Sequence, residues 1–159
     1  MENKFKWNYV VIPAISFVTW MIGRFYTYKG LDWYRTNVKL PFFAPSEWTS
    51  IFMWGSIFVL ATIAALFVWN TFERGFRFWL IIGLFITNAL LNIIFCYLFF
   101  NKHMIGATAV LDAAFLTLNV YLLVFLTWPK SRVVSWLLIP YAVWVTFATA
   151  VSIGIWIIN

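Results

Sequence analysis

Charged residues stand at intervals along this chain, and the stretches between them are almost wholly apolar. Lys6 and Arg24 enclose one uncharged run, Glu47 and Glu73 a second, and Arg77 and Lys102 a third. Between His103 and Lys130 the single charge is Asp112, and no charged side chain follows Arg132. Each run reaches or approaches the roughly 20 residues that a helix needs to cross about 30 Å of hydrocarbon. The pattern predicts an all-α, integral membrane bundle of five helices, at about 8–28, 48–71, 77–100, 104–128 and 133–157, as a single domain. The connections are short except for the one at about 29–47, so sequence neighbours are expected to pack antiparallel.

Composition agrees with this pattern. Of 159 residues, 64% are hydrophobic and 10% charged, more apolar side chain than a soluble domain of this size can hide. Tryptophans fall at the borders of the runs, among them Trp7, Trp48, Trp69, Trp79, Trp128, Trp136 and Trp156, where amphipathic rings favour the head-group region. The first run follows Lys4 and Lys6 as a signal peptide would, but no small-residue cleavage site comes after it. It is read as a retained helix whose Arg24 snorkels to the surface.

The formal charge of +6 flanks the spans, which points to phospholipid head groups and away from nucleic acid. Lys4, Lys6, Arg74, Arg77, Lys130 and Arg132 fall on one side, and Arg24, Lys29, Arg35, Lys39 and Lys102 on the other. That near balance assigns no orientation. One cysteine and one histidine exclude an internal disulfide and a Cys/His metal cluster. Gly83 and Thr87, one turn apart in the third span, would let helices approach closely, within the bundle or between two copies of a homodimer.

The candidate chemistry lies in polar groups that the membrane should penalise. Asp112 is the only acid inside a span, and an ionised carboxylate there costs at least roughly 2.5–3.5 kcal/mol. It must face the interior. Asn88 and Asn92 share a stripe of the third helix with Phe95, and Tyr141, Trp144 and Ala148 share a face of the fifth. Trp54 lies almost two turns inside the second. Two readings follow. These groups bond one another and hold the helices together, or they line a mostly apolar pocket with a few convergent polar groups. In the second reading Trp54 and Trp144 offer flat faces for stacking, and Asn88, Asn92 and Asp112 offer directional bonds.

The same residues carry a resemblance. Gly23-Arg24-Phe25, Gly30-Leu31-x-Trp33-Tyr34, Pro41-x-x-x-Pro45, Trp54-Gly55, Ala89-x-Leu91-Asn92, Asp112 and Pro140-Tyr141-x-x-Trp144-x-x-Phe147 occur in this order along nearly the whole chain. In this the chain resembles the translocator protein family, also called tryptophan-rich sensory proteins or peripheral benzodiazepine receptors. The resemblance implies a five-helix bundle, often dimeric, in a bacterial cell membrane or a mitochondrial outer membrane. It also implies a pocket capped by the first loop. The ligand implied is protoporphyrin IX, a haem-like tetrapyrrole or another flat hydrophobic molecule, and no cofactor is required.

Ligand-facing positions carried across are Tyr34 and Pro45 in the loop, Trp54, then Asn88, Asn92 and Phe95, and finally Tyr141, Trp144, Phe147 and Ala148. Asp112 joins them on the reading above. Two departures stand out. The family's loop tryptophan is Phe43 here and one of its prolines is Ser46. The cholesterol pattern of the last helix is missing, because Ser152 to Asn159 holds neither Tyr nor Lys nor Arg, so cholesterol is not expected.

Three functions compete. The first is a membrane receptor or carrier for porphyrin-like ligands. The second is a light-dependent enzyme that degrades a bound tetrapyrrole, with Trp54 and Trp144 in the photochemistry. The third is a structural or partner-binding membrane protein without a ligand. No serine, cysteine or histidine sits in a recognisable triad or phosphate-loop setting, so hydrolytic catalysis is not expected.

Overall fold

The computed structural model describes residues 6–159, with the side chain of Ala113 excepted; Lys4 lies outside the described residues. Five helices are long and apolar enough to cross a membrane: α1 (Asn8–Asn37), α2 (Glu47–Thr71), α3 (Phe76–Asn101), α4 (Ile105–Thr127) and α5 (Arg132–Ile158). Serines start two of them. The Ser46 side chain accepts from the Thr49 N–H at 3.1 Å, and Ser131 does the same for Val134 at the head of α5. These hydroxyls satisfy amide donors that the first helical turn leaves free. Ser46, a departure from the family pattern, is thus the cap of α2. Pro13 and Pro140 lie within α1 and α5, whose helical run continues past them.

The first helix is longer than expected. It runs on to Asn37, so the long connection shrinks to residues 38–46 and Tyr34 stands on a helix, not in a loop. Beyond the hydrocarbon a helix no longer needs an apolar surface. Here Thr36 and Asn37 donate back to the carbonyls of Asp32 and Trp33, and Arg35 donates two bonds to Glu47 at the start of α2.

Sequence neighbours do not all pack together. α1 lies between α2 and α3, α5 lies between α2 and α4, and α3 completes the ring against α4; α2 and α3 touch only slightly. The cyclic order is therefore α3, α1, α2, α5, α4. The half of the ring near the α2–α3 and α4–α5 links is solid, filled by Val68, Phe78, Ile81, Leu123, Val134 and Leu138, all buried. Toward the 38–46 side the same ring opens into a cavity. Outward faces carry exposed Phe17, Phe52, Val59, Phe115, Phe125 and Val143, as a bilayer solvent requires.

Two helices change pitch. Tyr97–Asn101 ends α3 as a π-helix, and Leu111–Leu116 interrupts α4 as another. Such wide turns gather at functional sites. Both border the cavity, since Phe99, Phe100, Asp112 and Leu116 line it.

Candidate ligand cavity

The cavity has a volume of about 260 Å³ and draws its walls from all five helices and the 38–46 link. α2 supplies Ile51, Trp54 and Phe58; α3 supplies Asn92, Phe95 and Phe99; α5 supplies Trp144, Phe147 and Ala148. Asp112 enters from α4, Tyr34 from the end of α1, and Pro45 from the link. These are nine of the eleven expected ligand positions, counted as Tyr34, Pro45, Trp54, Asn92, Phe95, Asp112, Trp144, Phe147 and Ala148.

Asn88 and Tyr141 are not on the wall. They lie beneath it in a polar layer that joins three helices. The Tyr141 hydroxyl donates to Asn88 Oδ1 at 2.8 Å and accepts from Asn92 Nδ2 at 2.9 Å. Asn88 Nδ2 donates to Asn119 Oδ1 at 3.0 Å, and Asn119 donates onward to the Leu84 carbonyl at 3.2 Å. Every amide and hydroxyl of the layer finds a partner inside the protein, which is what a lipid environment demands. These bonds are the ones the helix-joining reading calls for.

Asp112 is 2% exposed and accepts the Ser152 hydroxyl at 2.7 Å. Asn119, seven residues on, belongs to the polar layer instead of the cavity. The π-helical turn between them alters the rotation that regular spacing would give.

Trp54 and Trp144 both line the cavity, but their rings meet edge to face, with centroids 6.4 Å apart and planes at 86°. They do not form a slot. A flat guest stacked on one indole meets the rim of the other. Stacked rings do occur across the cavity, where Phe95 and Phe99 lie 5.6 Å apart at 7°. The Trp144 indole N–H is buried and has no acceptor among the described residues.

The link forms a lid. Lys39 N–H donates to Asn159 Oδ1 at 2.8 Å, and Asn159 Nδ2 returns a bond to the Lys39 carbonyl at 3.0 Å. Phe43 sets its ring against Phe147 with centroids 6.5 Å apart. Phe43, where the family has tryptophan, therefore packs onto a cavity residue.

One wall was missed in the sequence. α1 faces the cavity with Thr19, Trp20, Gly23, Arg24, Thr27 and Leu31, and Arg24 does not snorkel outward as expected. The signal was present as Thr19, Gly23 and Thr27, small residues four apart that mark one helix face.

Comparison with known proteins agrees with this architecture. The family model described as TspO/MBR family matches residues 9–157. The tryptophan-rich protein TspO of Bacillus cereus is 33% identical over 131 residues, 80% of each chain. A tryptophan-rich protein TspO of Archaeoglobus fulgidus is 29% identical over 151 residues, 94% of this chain and 93% of the relative. Translocator protein 2 of mouse is 32% identical over 120 residues, 74% of this chain and 73% of the relative.

Proposed function

Because this chain belongs to the TspO/MBR family and is a multi-pass membrane protein, we propose that it is a receptor or carrier whose cavity binds a flat hydrophobic molecule, with porphyrins the first candidates. The observation that carries this reading is the buried Trp144 N–H, a donor without a partner among the described residues, on a ring that lines the cavity. An unsatisfied buried donor costs about 1–3 kcal/mol, and an acceptor on a ligand removes that cost.

Size limits the guest. A volume of about 260 Å³ lies just under the 300–1,000 Å³ usual for small-molecule sites, so a whole tetrapyrrole enters only when the lid lifts. A molecule of two or three rings fits beneath it.

The test is a titration of tryptophan fluorescence with protoporphyrin IX in detergent. Trp144→Ala is a poor probe, because Trp144 packs in a cluster with Ile57, Leu116 and Val145 and truncation costs about 3–5 kcal/mol. Trp144→Phe keeps most of the ring and removes the N–H. The expected result is saturable quenching in the wild type and an affinity about three- to tenfold weaker in Trp144→Phe. Quenching that never saturates would leave the structural reading.

The contact of Trp54 with Trp144 favours a second reading, light-dependent breakdown of the bound dye. It requires a new absorption band to grow under illumination and to vanish in the Trp54→Phe, Trp144→Phe double variant. Bleaching at the rate of free dye excludes it.

A further inference from the structure

Three charged side chains line the cavity: Arg24, Glu47 and Asp112. Two are occupied. Glu47 holds Arg35 through two bonds, Nε to Oε1 at 2.8 Å and Nη2 to Oε2 at 2.7 Å, and Asp112 accepts from Ser152. Arg24 is different. Its guanidinium has no hydrogen bond, ion pair or ring contact among the described residues, although the residue is half-buried.

Its place on the helix explains why this matters. Thr19, Trp20, Gly23, Arg24, Thr27 and Leu31 follow one cavity-facing stripe of α1, and Arg24 stands in the middle of it. The opposite face shows what a lipid-facing cation does in this helix: Lys29 lies over the ring of exposed Phe25, 4.5 Å from its centroid. Arg24 instead lines the cavity together with Trp20, Phe58, Phe95 and Phe99. A guanidinium is always charged at ordinary pH and presents a planar fork of donors that matches a carboxylate. Left without an anion in apolar surroundings it is costly.

We infer that Arg24 recognises the carboxylate of the ligand, so that the cavity selects amphiphiles with an apolar ring body and an acidic tail over their uncharged counterparts. This rests on the ligand-binding reading above and adds the chemical class of the guest. Arg24 lies eleven residues before Arg35 on α1, about 16 Å of helix at 1.5 Å per residue. Arg35 bonds Glu47 at the head of α2, so Arg24 stands inside the bundle, no shallower than Trp54. An acidic tail that reaches Arg24 leaves its rings against the aromatic wall of Trp20, Phe95 and Phe99. Asp112, which lines the same cavity, repels an acid on the guest and so favours the orientation with the carboxylate toward Arg24.

The experiment compares protoporphyrin IX with its dimethyl ester, in uncharged detergent, on the wild type, Arg24→Gln and Arg24→Lys. The wild type should bind the acid at least tenfold more tightly than the ester. Arg24→Gln should bind the two alike, and Arg24→Lys should keep part of the preference, because a charge remains but the fork is lost. Equal binding of acid and ester by the wild type overturns the inference while leaving a ligand cavity, and needs no variant to fold. A preference that survives unchanged in Arg24→Gln also overturns it. If neither dye saturates, the ligand-binding reading itself fails. A repeat in nanodiscs containing phosphatidylglycerol separates a lipid phosphate from the ligand's carboxylate: the acid preference should persist there, and its loss would assign Arg24 to the lipid.

Discussion

The Ser152 hydroxyl donates a 2.7 Å hydrogen bond to Oδ2 of Asp112, joining α5 to α4 inside the cavity wall. Both residues are buried, so neither has bulk water as an alternative partner. Ser152→Ala should therefore destabilise the protein by about 1–2 kcal/mol, as loss of a bond to a buried carboxyl does. Asp112→Asn keeps an oxygen for Ser152 to reach and should cost less than Ser152→Ala. Thermal midpoints in detergent check the order. The reverse order would show that the carboxylate has work beyond accepting from Ser152.

The polar layer beneath the cavity makes an opposite demand. Asn88 bonds Asn119 and Tyr141, yet does not line the cavity. Asn88→Ala should lower the midpoint by an amount matching about 0.6–1.7 kcal/mol per lost interhelical bond. Dye affinity should change by less than about threefold, under 1 kcal/mol. A larger loss of affinity with an unchanged midpoint would return Asn88 to the ligand site.

The five spans were legible because lipid admits few charges, and Glu47, Glu73, Arg77, Lys102, Lys130 and Arg132 mark where it ends. The inward aromatic residues of α2, α3 and α5 were legible for the same reason: a polar-edged ring such as Trp144 deep in a span needs a purpose. The ring order was not. Helices that are apolar on every side carry no stripe to say which neighbour they meet, and α1 slips between α2 and α3 without a sequence signal. The tail of α1 was hidden by Lys29 and Gly30, which read as a loop but sit in regular helix. Arg24 was misplaced because snorkelling toward head groups is the usual fate of an arginine near a span end, and only coordinates show the cavity beside it.

Gly30 and Gly83 make a contrasting pair. A Cβ on Gly30 would run into the Phe100 carbonyl, where α1 meets the π-helical end of α3. Gly30→Ala should cost at least about 2 kcal/mol, because a backbone atom cannot step aside as a side chain can. A Cβ on Gly83 meets nothing within 4 Å, and the residue is exposed on the outer face of α3 with Thr87. Gly83→Ala should leave the fold intact or stabilise it by up to about 1 kcal/mol through helix propensity. If two copies pair through this face, Gly83→Leu should turn a dimer into a monomer in mass measurements in detergent without loss of fold. A wild type that is monomeric removes the face as a dimer contact. An unaltered dimer would move the contact elsewhere.

The lid is held shut by a small clasp, and its strength can be measured without a ligand. Asn159 exchanges two hydrogen bonds with the Lys39 backbone, at 2.8 and 3.0 Å, and both residues are exposed. Asn159 also donates to the Ile155 carbonyl, so its amide is anchored to α5 while it grips the link. Asn159→Ala removes both bonds to Lys39 but leaves Phe43 against Phe147. With each bond worth about 0.5–1 kcal/mol net, the open state should become about five- to thirtyfold more populated. Hydrogen exchange at the Lys39 amide should accelerate by that factor, while amides in the middle of α5 keep their protection. If a guest larger than the cavity of about 260 Å³ enters under residues 38–46, protoporphyrin IX should also associate faster with the variant. A two-ring probe that fits beneath the lid should gain less. Faster amide exchange without faster association would show that large guests enter between the helices and not under residues 38–46.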